Sequence, residues 1–244
     1  MIKLVCPYTI KLHPKHYLEQ VKDRSRFLLD LFMKTTGKIY DFTLYTDDIS
    51  YEYLGRPKNV KTKYFPTDDY YFIDDFKVEL LHILPPDTYI ADFDLYLKEP
   101  LQIDNNYDIY IERFEEESNW NTYKKQIDSI PYDEIREFLL SIDALKTIPN
   151  IGFFRTNNAR LRKEYSDLYF DYRRKFINLS IRDNFDYRHY SALFSQHILN
   201  YVLSLKDYKV YECDQSNCTH LNGTYKYRLS EDEIIKRVTQ KQVI

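Results

Sequence analysis

Two aspartates two residues apart, in Tyr89-Ile90-Ala91-Asp92-Phe93-Asp94-Leu95-Tyr96-Leu97, carry the clearest chemistry in this chain. An apolar run ending in Asp-x-Asp reads as a buried strand whose end holds two carboxylates able to face one side. Two hard oxygen ligands on one edge suit a divalent cation such as magnesium or manganese. In an open α/β sheet, the carboxyl ends of strands are where ligands bind. Far along the chain, Thr219-His220-Leu221-Asn222-Gly223-Thr224-Tyr225-Lys226 offers an imidazole to complete a metal site with Asp92 and Asp94. Gly223, one of only four glycines, lets backbone approach a phosphate, and Lys226 supplies a point charge for it.

Two further segments combine polar groups with apolar surroundings. Asn150-Ile151-Gly152-Phe153-Phe154 is an apolar strand bearing an amide and a glycine, and Ser195-Gln196-His197-Ile198-Leu199-Asn200 lies on a helix. Cys213, Cys218 and His220 match no closed four-ligand zinc pattern.

The elements that must position these residues follow from periodicity. A first strand occupies the N-terminus through Tyr8, and residues 15–35 form a helix stopped at Gly37. Strands are expected over 39–45, 60–65, 88–91, 150–154 and 209–213. Helices are expected over 72–83, 131–145, 159–178, 191–205 and 231–238. The polar, acidic stretch 104–130, which includes Glu115-Glu116-Glu117, shows no clear period and reads as a peripheral excursion. Strands alternating with helices imply an α/β fold with a mainly parallel sheet, and the absence of repeats or a linker implies a single domain over 1–244.

Composition narrows the class. The chain has 244 residues, 43% of them hydrophobic and 30% charged, with a net charge of −3, which is the profile of a folded globular protein rather than a disordered one. No apolar run is long enough to span a membrane. The near balance of 35 basic and 38 acidic residues leaves no global footprint for nucleic acid. Three cysteines, an odd number, suit a reducing cytoplasm. The abundance of Lys, Ile, Asn and Tyr suggests an AT-rich genome such as that of a phage, in which case the protein would act in the host cytoplasm.

Taken in order, these segments resemble the GT-A glycosyltransferases, most nearly family 8, the glycogenin and lipopolysaccharide galactosyltransferase group. That family carries Asp-x-Asp after a buried strand, then an Asn-x-Gly strand, a helix with Asp-Gln-Asp-Ile-Leu-Asn, and His-x-x-Gly-x-x-Lys. The matches here are Asp92 and Asp94, Asn150 and Gly152, then Gln196, Ile198, Leu199 and Asn200, and finally His220, Gly223 and Lys226. Ser195 and His197 stand where the family has acids beside the glutamine.

The resemblance implies a Rossmann-like GT-A domain that moves a sugar from a nucleotide-diphosphate donor, a UDP-sugar first among them, with retention at the anomeric carbon. It implies manganese or magnesium held by Asp94 and His220, with Asp92 on the metal or the ribose. Lys226 and Lys77 would face the diphosphate, Asn150, Gly152 and Gly223 would line the donor, and Tyr8 would stack on the nucleobase. Gln196 would lie against the β-face of the sugar, stabilising an oxocarbenium-like transition state rather than attacking it.

Two other readings compete. A metal-dependent nuclease or nucleotidyltransferase also gathers carboxylates, but a polymerase-like member wants a Gly-Ser entry where this chain has Pro85-Pro86. A non-enzymatic nucleic-acid-binding module would use Arg160-Leu161-Arg162-Lys163 and Tyr172-Arg173-Arg174-Lys175 as basic patches beside aromatic platforms. The same patches would serve a phage-type glycosyltransferase acting on modified DNA bases, with DNA as acceptor.

Overall fold

A computed structural model describes residues 2–11, 18–66, 70–101, 104, 106–115, 117–141, 148–221 and 228–239. In chain order the elements are β1 (Lys3–Tyr8), α1 (Leu18–Lys34), β2 (Asp41–Thr46), α2 (Asp48–Tyr53), β3 (Thr62–Tyr64), α3 (Asp75–Ile83), β4 (Thr88–Ala91), β5 (Leu95–Leu97) and β6 (Ile109–Glu115). They continue with α4 (Glu117–Asp128), α5 (Asp133–Ser141), β7 (Ile148–Thr156), α6 (Ala159–Arg182), α7 (Ser191–Ser204), β8 (Val210–Glu212), β9 (Cys218–His220) and α8 (Glu231–Thr239). Parallel pairings outnumber antiparallel ones, so the protein is mixed α/β with mainly parallel strands flanked by helices, as the GT-A resemblance implies.

The chain forms two compact units. One comprises Met1–Asp69, Asp87–Asp104 and Cys213–Ile244, the other Tyr70–Pro86 and Asn105–Glu212. In the first, β1 lies parallel to both β2 and β4, and β2 lies parallel to β3. Parallel neighbours need a crossover, and α1 supplies it between β1 and β2. The apolar face of α1 buries Leu28, Leu29 and Phe32. The Phe32 ring meets Phe42 of β2 at 5.0 Å and Tyr96 of β5 at 6.4 Å.

β5 pairs antiparallel with β9. Thr36 secures β5, its hydroxyl accepting from Leu97 N–H at 2.8 Å. At the carboxyl ends of β1 and β2, Asp47 caps α2 and accepts from Thr9 Oγ1 at 2.7 Å. Ser50 Oγ, itself bonded to Asp47, accepts the Ile10 N–H at 2.8 Å.

In the second unit, β7 runs antiparallel to β6, and β8 parallel to it. α7 packs on β7 and on α6. Phe72, Phe176 and Phe194 form an aromatic core among these helices, Phe176 and Phe194 stacking at 4.8 Å.

The stretch 104–130 departs from its reading as a peripheral excursion. It holds β6 and α4. The first four residues of β6 are all buried, Glu112 included. A strand covered on both faces shows no alternation of polar and apolar residues, which is why its period is invisible. The short elements α2, β5 and β9 also went unread, and α6 runs past residue 178 to Arg182.

Candidate metal centre

The buried residues Thr88 to Ala91 form β4, and the chain leaves the sheet at Asp92. The two aspartates are not alternate residues of that strand. Asp92-Phe93-Asp94-Leu95 is a turn, closed by Leu95 N–H donating to the Asp92 carbonyl at 3.1 Å. Asp and its short polar side chain suit such a turn. The chain then enters β5, where Leu95 stands opposite His220 of β9. Leu221 N–H donates to the Asp94 carbonyl at 3.1 Å, fixing β9 against the turn.

Asp92, Asp94 and His220 converge in consequence. One ligand atom from each lies within 4.8 Å of the others, and His220 Nε2 is 3.5 Å from Asp94 Oδ1. The Asp94 and His220 side chains are 6% and 7% exposed. Among the described residues this is the cluster of three or more such ligands. Two carboxylates drawn together, one of them buried, repel one another, and a divalent cation between them would remove that cost. Two oxygens and one imidazole nitrogen suit a first-row divalent ion, and three protein ligands leave positions open for a substrate. The residues present therefore fit a divalent metal.

Phe93, between the two aspartates, is buried against the Tyr8 ring at 5.0 Å. The Tyr8 hydroxyl donates to Ser25 Oγ at 3.2 Å. Tyr8, expected to stack on the nucleobase, lies beside the Asp-x-Asp turn with its ring against Phe93. Asn222, Gly223 and Lys226 fall within 222–227, outside the described residues. The three cysteines form no disulfide.

Lys77, Asn150, Gly152 and Gln196 belong to the second unit. Lys77 is buried, its Nζ donating to the Ile151 carbonyl at 3.3 Å and lying 3.6 Å from Asp74 Oδ1. Asp74 Oδ2 also accepts from Ser195 Oγ at 2.7 Å and Ser191 Oγ at 3.2 Å. Ser195, in the place of a family acid, is therefore bonded to one. Asn150 Oδ1 accepts from Gly152 N–H at 2.8 Å, and its Nδ2 donates to Glu115 Oε1 at 2.7 Å. Gln196 Oε1 is 2.7 Å from the Tyr123 hydroxyl, which also lies 3.1 Å from Glu115 Oε2.

Asn150, Gly152 and Gln196 are thus joined through Glu115 and Tyr123. Neither joining residue stood out in the sequence. Both sit in the stretch without period, and the apolar triplet Ile109-Tyr110-Ile111 was the available sign that a strand delivers Glu115. His197, in the place of the other family acid, is fully buried, and burial pushes its imidazole down to about 4, so it is neutral at ordinary pH.

Five of the six cations of the two basic patches form ion pairs within the fold. Arg160 pairs with Glu164, Lys163 with Asp167, Arg174 with Asp171, Lys175 with Glu134 and Asp171, and Arg173 with buried Asp75. The Arg162 guanidinium donates to the carbonyls of Leu81 and Leu84. No described helix is long and apolar enough to cross a membrane.

No protein-family profile and no curated protein matches the chain. Among solved structures, it is similar to the apo form of mouse xyloside xylosyltransferase 1. The identity is 15% and the TM-score 0.48, over 88% of this chain and 85% of that one.

Proposed function

We propose that this chain is a metal-dependent glycosyltransferase of the GT-A type, forming one catalytic domain and working in the cytoplasm. Its donor is a nucleotide-diphosphate sugar, a UDP-sugar first, and transfer proceeds with retention. The observation that carries the reading is the convergence of Asp92 and Asp94 with His220, which comes from a distant part of the sequence. A manganese or magnesium ion held there supplies positive charge opposite the departing nucleotide diphosphate.

The remaining roles belong to the chain itself. Lys226 adds positive charge toward the diphosphate, and Gly223 admits backbone close to it, whereas the charge of Lys77 is already matched by Asp74. Tyr8 backs the metal turn at the edge of the nucleobase subsite. Asn150 and Gly152 line the donor. Gln196, an amide and so a poor nucleophile, offers its dipole to positive charge developing on the sugar. A nucleic-acid-binding module and a DNA acceptor both draw on cations along α6, where Arg162 is committed to backbone carbonyls and the other cations of the two basic patches are ion-paired.

Thermal unfolding with a panel of nucleotide diphosphates and nucleotide sugars, with and without manganese, tests the reading. A ligand at 100 times its dissociation constant adds about 2.7 kcal/mol of stability. The expected result is a metal-dependent shift with one nucleotide, lost in Asp94→Ala. No shift with any nucleotide on folded protein would overturn the donor site.

A further inference from the structure

Four polar side chains from β6, α4, β7 and α7 form one hydrogen-bonded series: Asn150, Glu115, Tyr123 and Gln196. Its middle member sets a constraint. A phenol has one proton, yet the Tyr123 oxygen stands 3.1 Å from Glu115 Oε2 and 2.7 Å from Gln196 Oε1. It can donate to only one of them. A carboxylate only accepts, whereas an amide accepts through its oxygen and donates through its nitrogen, and a half-turn about its last bond exchanges the two.

Glu115 already accepts from Asn150 Nδ2 at 2.7 Å, which anchors its Oε1 at the head of the series. The arrangement that satisfies every member then runs one way. Tyr123 donates to Glu115, and Gln196 turns its NH2 group to the Tyr123 oxygen. Burial raises the Tyr123 phenol above its ordinary value and the Glu115 charge raises it further, so the proton stays on the tyrosine. The Gln196 carbonyl is left pointing away from Tyr123.

We propose that Glu115 is a positioning residue for Gln196. Acting through the Tyr123 hydroxyl, it selects the amide orientation in which the electronegative Oε1 is presented to the reacting sugar. The inference rests on the reading of Gln196 as the side chain beside that sugar. Orientation matters because an oxocarbenium-like centre is stabilised by a carbonyl oxygen and opposed by an NH2 group.

Two readouts on Glu115→Gln, Tyr123→Phe and the double variant test the idea. The first is NMR of the Gln196 side-chain amide, assigned through Gln196→Leu. In the wild type one amide proton is protected from exchange by Tyr123. Glu115→Gln and Tyr123→Phe both remove that protection. An unchanged Gln196 signal in folded Glu115→Gln overturns the proposal, whether or not sugar transfer is detected. Tyr123→Phe reads the same link if Glu115→Gln folds poorly, and an unchanged signal there overturns it equally.

The second readout is kinetic. A misaimed group costs up to about a hundredfold in kcat, with donor KM near the wild-type value. The double variant is no worse than either single one, because all three break one series. Additive losses, or losses confined to KM, overturn the positioning role. Absence of transfer by the wild type with every donor counts against the proposed function, and the amide signal then decides the positioning by itself.

Discussion

His220 Nε2 lies 3.5 Å from Asp94 Oδ1 because β9 runs antiparallel to β5 and places His220 opposite Leu95, the residue after Asp94. The pairing of two three-residue strands therefore builds the candidate metal centre, and its register determines whether the imidazole reaches the carboxylates. A slip of one residue would send the His220 side chain to the opposite face. Leu221 N–H on the Asp94 carbonyl holds that register.

Metal binding is the first consequence. Manganese titrated into the wild type should bind at one site, read by the loss of free-ion signal in electron paramagnetic resonance. Asp94→Asn removes a ligand's charge and His220→Ala removes a ligand, and each should weaken binding by at least about tenfold to a hundredfold, the range seen even for outer-shell changes. Retention of wild-type affinity by both variants would mean the cluster is not the site.

Stability should fall in acid through His197. Its pKa is lowered by burial from 6.5 to about 4, so between these values the unfolded chain binds a proton that the folded chain does not. The contribution is fully present above 6.5 and is lost as pH falls toward 4, at roughly 1.4 kcal/mol per pH unit at most. Urea melts across this window should show the slope in the wild type and a shallower one in His197→Leu. Equal slopes would remove His197 as the cause.

Asp47 should carry much of the local stability where β1 and β2 end. It caps α2 through Ser50 N–H at 2.9 Å and accepts from Thr9 Oγ1 at 2.7 Å and Ser50 Oγ at 2.8 Å. Asp47→Ala loses the cap and leaves two buried hydroxyls short of an acceptor, a cost of about 2–4 kcal/mol in denaturant unfolding. Asp47→Asn keeps an acceptor oxygen and should lose clearly less. Equal losses would show that charge rather than hydrogen bonding is what matters there.

The order of elements was legible wherever one face or one run of a segment is apolar. The helices ending in Lys34, Ile83 and Ser204 lie close to their expected places, and so do the strands β2, β4 and β7. The Asp-x-Asp pair and the distant histidine were also legible, since ligand chemistry is a property of residue type. The resemblance puts Lys77 at the diphosphate, and the structure adds that it is buried against Asp74 and the Ile151 carbonyl. A single lysine in a helical window carries no mark of which residues will pack over it.

Glu115 shows where local pattern gives out. In the sequence it opens a run of three acids, which resembles a solvated surface. In the fold it ends a buried strand and joins Asn150 to Tyr123. The amino-acid sequence by itself determined the α/β class, the periodic helices and the kinds of ligand available for a metal. Only the tertiary structure decided that Asp92 and Asp94 meet His220 across a turn and a two-stranded ladder, and that Glu115 reaches Gln196 through a tyrosine. Periodicity reports which face of a segment is covered, whereas strand register and long-range proximity depend on partners distant in the chain.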